Sequence, residues 1–248
     1  MKKLFLAGML GLVCMTPLQA QTKAEADSAY AAGKYEDAIS VYTALLKKGE
    51  SADVYYNLGN CYYRTDSIAR AVLNYERAAL LDPGDSDIRF NLELARSKTI
   101  DKITPESEMF FITWYKNVVD WMGMDAWART GVAAFVLACV LVLLYFLGNK
   151  VGWKKAGFFG ALAMVVVAAL ANVFAWTQHK RLEARTGAVV MASSVVVKST
   201  PDESGTDLFV LHEGTRVEII DDTMKEWKEI RLADGKVGWM PAKEMEVI

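Results

Sequence analysis

Residues 52–63 read Ala52-Asp53-Val54-Tyr55-Tyr56-Asn57-Leu58-Gly59-Asn60-Cys61-Tyr62-Tyr63, and the run continues through Ala71, Tyr75 and Ala78 to a stop at Pro83. Tyr55, Leu58, Gly59 and Tyr62 recur at spacings of three and four, as do Ala71, Tyr75 and Ala78, so the stretch predicts two helices, each with one packing face. The motif Ala38-Ile39-x-x-Tyr42 returns 33 residues later as Ala71-Val72-x-x-Tyr75. A third start, Asp87-Ile88-Arg89-Phe90-Asn91-Leu92, copies Asp53 to Leu58 before the pattern lapses. A fixed period of this length implies stacked helix pairs that bury a core only against their neighbours.

The signature positions Tyr55, Leu58, Gly59, Tyr62, Ala71, Tyr75, Ala78 and Pro83 resemble the tetratricopeptide repeat, and residues 23–98 are expected to form such a domain. Their chemistry is steric: Gly59 and Ala71 let the paired helices close, the tyrosines fill the gaps, and Pro83 ends the second helix. Two full repeats and a capping helix are marginal alone, so the array is expected to lean on another segment or on a partner. The resemblance implies binding of peptides or protein faces along the concave side made by the first helices. Helix phase places Tyr30, Tyr56, Asn57, Asn60, Tyr63, Arg64 and Asn91 there, either holding a ligand backbone or acidic terminus or merely capping turns.

With 28 Lys+Arg against 30 Asp+Glu and 53% hydrophobic residues, the chain is too balanced for a nucleic-acid binder and too apolar for a disordered one. The apolar residues cluster in three runs. The first, after Lys2 and Lys3, has the order of a secretory signal over residues 1–20, with a cut after Ala20. Lipidation at Cys14 is the rival reading, disfavoured by bulky Val13 before it. Thr130–Leu147 and Ala156–Thr177 carry no formal charge and rise about 27 and 33 Å at ~1.5 Å per residue, which predicts transmembrane helices over 129–148 and 156–177. Lys150, Lys154 and Lys155 in the expected loop 149–155 place that loop in the cytoplasm by the positive-inside rule, although Lys180, Arg181 and Arg185 follow the second span on the opposite side. The spacings Gly157/Ala161 and Ala171/Ala175 fit either packing of the hairpin on itself or association with a partner.

Between repeats and spans, residues 99–125 read as a short linker followed by an aromatic helix, Met109 to Met122, too polar to span and suited to a membrane interface. Beyond residue 187 the period shortens. Six β-rich runs, Ala188–Met191, Val195–Lys198, Leu208–Leu211, Arg216–Asp221, Trp227–Leu232 and Val237–Met240, with Asp234-Gly235 as a hairpin turn, predict a small barrel over 187–248. Gly214-Thr215-x-Val217, Trp227, Gly238-Trp239-x-Pro241 and Pro201 resemble a bacterial SH3-like domain, which implies peptide binding, often of cell-wall peptides, without catalysis. Trp227 and Trp239 are either ligand platforms or barrel core, and core is the expectation for Trp239.

The expected fold class is therefore multi-domain: an all-α tetratricopeptide solenoid, a two-helix transmembrane hairpin and a small all-β SH3-like barrel. In that order the modules resemble the Bacteroides aerotolerance (Bat) family. The resemblance implies a two-pass inner-membrane scaffold with both binding modules in the periplasm, whose partners include von Willebrand A-domain membrane proteins; a cell-wall sensor is the alternative. Only His179 and His212 are present, the three cysteines are scattered, and phosphate loops, nucleophile elbows and paired metal ligands are missing from the sequence. No cofactor, metal or catalytic residue is expected.

Overall fold

The computed structural model describes residues 17–248; the expected signal, residues 1–20, lies outside the described residues except for its last four. Those four open helix α1, Pro17–Ala31, so the expected cut after Ala20 falls at the end of its first turn. Then follow α2 (Tyr35–Leu46), α3 (Ala52–Arg64), α4 (Ile68–Leu81) and α5 (Ser86–Arg96). Ala26, Ala38, Tyr42, Leu45, Val54, Leu58 and Cys61 form the core of the first pairs. Tyr75 is buried against Gly59, where an added Cβ would lie 2.7 Å from the ring. The close approach expected of the signature glycine is thus its role here.

The chain divides into two units. One comprises the helices as far as Ala78, residues 87–105 and the segment Gly187–Ile248; the other comprises 79–86 and 106–186. Inside the first unit, the C-terminal segment is a seven-stranded antiparallel sheet in the order β3-β2-β6-β5-β4-β1-β7. The strands are β1 (Gly187–Val190), β2 (Ser194–Lys198), β3 (Asp207–His212), β4 (Arg216–Asp221), β5 (Trp227–Arg231), β6 (Val237–Pro241) and β7 (Met245–Val247). Alternate residues face inward, and Ala188, Val190, Val195, Val197, Leu211, Val217, Ile230, Leu232 and Met240 pack the core. Strand β7 escapes a reading by pattern because it is three residues long with Glu246 at its centre; it exists because β1 offers it an edge.

The second unit holds α6 (Phe110–Val119), α7 (Met124–Leu147) and α8 (Val151–Ala184). Helix α7 buries Trp127, Gly131, Ala134 and Ala138, and α8 buries Gly157, Ala161, Ala168 and Ala171, one stripe of mostly small side chains on each. A Cβ on Gly157 would sit 2.7 Å from the Leu141 carbonyl oxygen, so the two backbones touch there. The small residues therefore serve the hairpin's own packing. Both helices are long and apolar enough to cross a membrane, and only 17% of either apolar window is buried, unlike the core helix of a water-soluble domain. The expected loop 149–155 is shorter than its charges suggest: Trp153, Lys154 and Lys155 lie in the first turns of α8, leaving Gly148 to Lys150 as the connection. Lysine is a good helix former, so charge alone does not mark a loop.

The end of the hairpin away from the α7–α8 connection is tied to α6 by polar contacts. Gln178 Nε2 donates to the carbonyls of Val119 (2.6 Å) and Met122 (2.8 Å), Trp127 Nε1 donates to Val119 (2.9 Å), and Arg181 pairs with Asp120 at 2.6 Å. Arg181, one of the cations that conflicted with the charge rule, is thus committed to an ion pair. Phe110, Phe111, Trp114 and Trp121 remain exposed.

Candidate functional site

The residues expected to line the repeat groove all lie on the first helices of their pairs, α1, α3 and α5, and the structure links several of them to one another. Tyr75 donates its hydroxyl to Asn60 Oδ1 (2.7 Å). Asn91 Nδ2 donates to the Tyr56 hydroxyl (2.8 Å). Asn57 Nδ2 reaches Asp27 at 3.4 Å, and Asp27 also accepts from Tyr42. The amides on α3 and α5 thereby act as struts between successive helices. Burial pushes the Tyr75 and Tyr42 hydroxyls well above the usual tyrosine range, and for Tyr42 the Asp27 carboxylate adds to it, so both remain proton donors.

Arg64 is exposed and donates a hydrogen bond to the Tyr30 hydroxyl oxygen beside it, which raises its pKa further. Tyr63 stacks under Lys98, whose Nζ is 4.2 Å from the ring centroid. Of the expected groove residues Arg64 is the exposed one, while Tyr30 and Tyr63 are half-buried like the Asn struts. Cys61 is buried in the repeat core, and desolvation pushes its thiol up to about 11.

The opposite flank of the repeats is occupied by the barrel. Helix α4 supplies Glu76 and Arg77 to this junction: Glu76 is buried and pairs with Arg96 of α5 and, at 3.4 Å, with Arg216 of β4. Arg77 Nη2 donates to the Val247 carbonyl (2.6 Å) and to Glu246 (3.0 Å). The segment read as a linker is in fact a strap. Asp101 accepts from the His212 backbone N–H (2.7 Å) and the Thr215 hydroxyl (2.6 Å), and its other oxygen meets His212 Nδ1 at 2.9 Å. Burial alone would raise the Asp101 carboxyl, but the bonds from Thr215 and His212 outweigh it and hold it below the usual range. Ile103 packs on the barrel core, and Gly214, at φ +82°, lets the Thr99 methyl approach to 2.6 Å of where a Cβ would stand.

None of Glu76, Arg77, Asp101, His212 or Arg216 stands out in the sequence, because their partners lie 20 to 170 residues away. The one legible clue is Glu76, a charge on the inward side of a repeat helix.

In the barrel the expectation for Trp239 is corrected. Strand β6 turns Gly238 and Met240 inward, so Trp239 is half-buried on the other face, opposite Glu229 of β5 and Lys198 of β2. Trp227 pairs with Pro241 on the same strands, and neither tryptophan belongs to the core cluster. Alternation decided this: once Ile230 and Met240 fill the small interior, the larger rings must lie outside. Trp227, Trp239 and Pro241 therefore share an outward aromatic surface.

With this geometry in place, residues 23–87 match the family described as tetratricopeptide repeat, and residues 193–246 match the one described as bacterial SH3 domain. Among curated proteins none matches the chain. Similar solved structures include the Yersinia enterocolitica type III secretion chaperone SycD in complex with a peptide of the translocator YopD, 17% identical over 62% of this chain and 93% of that one, with a TM-score of 0.30. The Sgt2 tetratricopeptide domain from Aspergillus fumigatus is 22% identical over 63% and 83%, with a TM-score of 0.32. Pseudomonas aeruginosa PcrH is 17% identical over 67% and 89%, at 0.30. At these scores the likeness assigns no role to the chain. It holds a tetratricopeptide region and a bacterial SH3 domain, modules suited to protein or peptide binding.

Proposed function

We propose that the chain is a non-catalytic scaffold anchored in the bacterial inner membrane by the α7–α8 hairpin, with its repeats and SH3-like barrel both in the periplasm. We further propose that it acts as the BatE-like member of a Bat cell-envelope complex linked to aerotolerance or stress, holding von Willebrand A-domain membrane proteins through the repeats.

The carrying observation is that the module before the hairpin and the module after it pack together in one unit. Chains on the two sides of a membrane cannot share a hydrogen bond such as Asp101 to Thr215. That contact supports placing the two ends of the hairpin on one side, as an even number of spans requires. The exposed aromatic face of α6 fits the interfacial level beside the hairpin. Binding without catalysis accords with Cys61, the one cysteine in the repeats, being buried with its thiol held protonated.

In-cell crosslinking followed by detergent extraction and mass spectrometry tests this. The full chain is expected to recover membrane proteins with von Willebrand A-type domains, and Tyr30→Ala with Arg64→Ala to lower that recovery several-fold. Unchanged recovery would remove the groove from the proposal. The outward surface of Trp227, Trp239 and Pro241 favours a second reading, capture of cell-wall peptide by the barrel. Retention on purified cell wall that survives Trp227→Ala and Trp239→Ala together would argue against it.

A further inference from the structure

A cavity of about 590 Å³ lies between α2, α3 and α4 on one side and β1, β7 and the turn before β7 on the other, on the flank of the repeats away from the concave groove. Its floor is apolar, with Leu46, Leu58, Leu73, Met191 and Met245. Its charged side chains are unbalanced: Lys47, Arg70, Arg77 and Lys243 face a single acid, Glu246. Arg77 already binds Glu246, so that carboxylate does not offset the other three cations. Arg70 has its guanidinium 5.6 Å from the Tyr62 ring, and Lys243 lies 3.7 Å from Glu244 outside the lining. Arg77 Nε is buried without a hydrogen-bond partner among the described residues, a state that native proteins generally avoid.

We infer that this cavity binds an acidic peptide segment of a partner protein, its carboxylates held by Arg70, Lys243 and Lys47 and its apolar side chains by the leucine and methionine floor. The volume falls within the ~300–1,000 Å³ common to ligand sites, and an apolar pocket with a few convergent charges is the usual form of such sites. Lys47, Arg70 and Lys243 are exposed around the cavity and give its mouth an excess of positive charge, which favours an anionic occupant. The inference deepens the scaffold proposal by adding a second peptide site, formed only when barrel and repeats are together.

The test uses the full chain in dodecyl maltoside and fluorescence anisotropy of a fluorescein-labelled heptapeptide alternating leucine with glutamate and aspartate. Its counterpart carries glutamine, asparagine and a C-terminal amide. The acidic probe is expected to bind about tenfold tighter than the neutral one and to weaken as salt shortens the Debye length from about 10 to about 3 Å. Arg70→Gln with Lys243→Gln, both at exposed positions, is expected to remove that preference, and Lys47→Glu to do so independently, with circular dichroism confirming the fold. Equal binding of the two probes, no binding, or unchanged binding by these variants would overturn the inference. So would loss on Arg64→Ala alone, which would put the probe in the concave groove. In each of those cases recovery of partner proteins by crosslinking still tests the scaffold proposal separately.

Discussion

Helices α4 and α7 are both rich in apolar residues and dispose of them in opposite ways. Helix α4 buries Val72, Leu73 and Tyr75, and with them the polar Asn74 and Glu76, because repeats cover one side and the barrel the other. Helix α7 buries Gly131, Ala134 and Ala138 and exposes Phe135, Val136 and Leu137. Large side chains inward and matched charges at the edge describe a helix whose low-dielectric surroundings are protein. Small side chains inward and large ones outward describe a helix packed by backbone approach, the pattern of a helix suited to apolar surroundings. The contrast is the physical core of the proposed membrane anchor.

The contrast breaks most visibly at Tyr75. Tyr75→Ala removes a ring that is 1% exposed and is expected to cost about 3–5 kcal/mol of repeat stability, whereas Phe135→Ala in detergent should cost little. Thermal melts of both variants check this, and equal losses would make α7 a core helix after all. Next in size, Leu137→Lys at the middle of α7 should cost about 2.5–3.5 kcal/mol of membrane insertion, seen as loss from the membrane fraction. On the other side of the comparison, Asp101→Ala strands the His212 and Thr215 donors and should cost about 1–3 kcal/mol, read as faster hydrogen exchange across β3 and β4.

The smallest effect is pH-dependent. Because the folded Asp101 carboxyl titrates below its unfolded value near 4, its contribution is present above that value and is lost as pH falls through the depressed one. Exchange in β3 and β4 is therefore expected to quicken below about pH 4 in the wild type, and much less so in Asp101→Asn.

Much of the fold is legible because it rests on local repetition. Tyr55, Gly59, Ala71 and Tyr75 announce helix pairs, since their spacing is the packing, and uncharged runs announce long apolar helices. The site is less legible. Tyr30, Tyr63 and Arg64 can be placed on one side of the first helices by phase, but that Asn60 and Asn91 act as struts depends on Tyr75 and Tyr56 lying opposite them. The outward position of Trp239 depends on which neighbour fills the barrel interior, and strand alternation by itself permits either face.

The sequence by itself determined the modules and their order, because periodicity and hydropathy act over a few residues and need no distant partner. Only the tertiary structure decided that the strap at Asp101 and the pair Glu76 and Arg77 on α4 fasten the barrel to the repeats, and that a cationic cavity lies between them. Those contacts join residues as much as 170 positions apart, and a charge separated that far along the chain from its partner carries no mark of it until the fold brings them together.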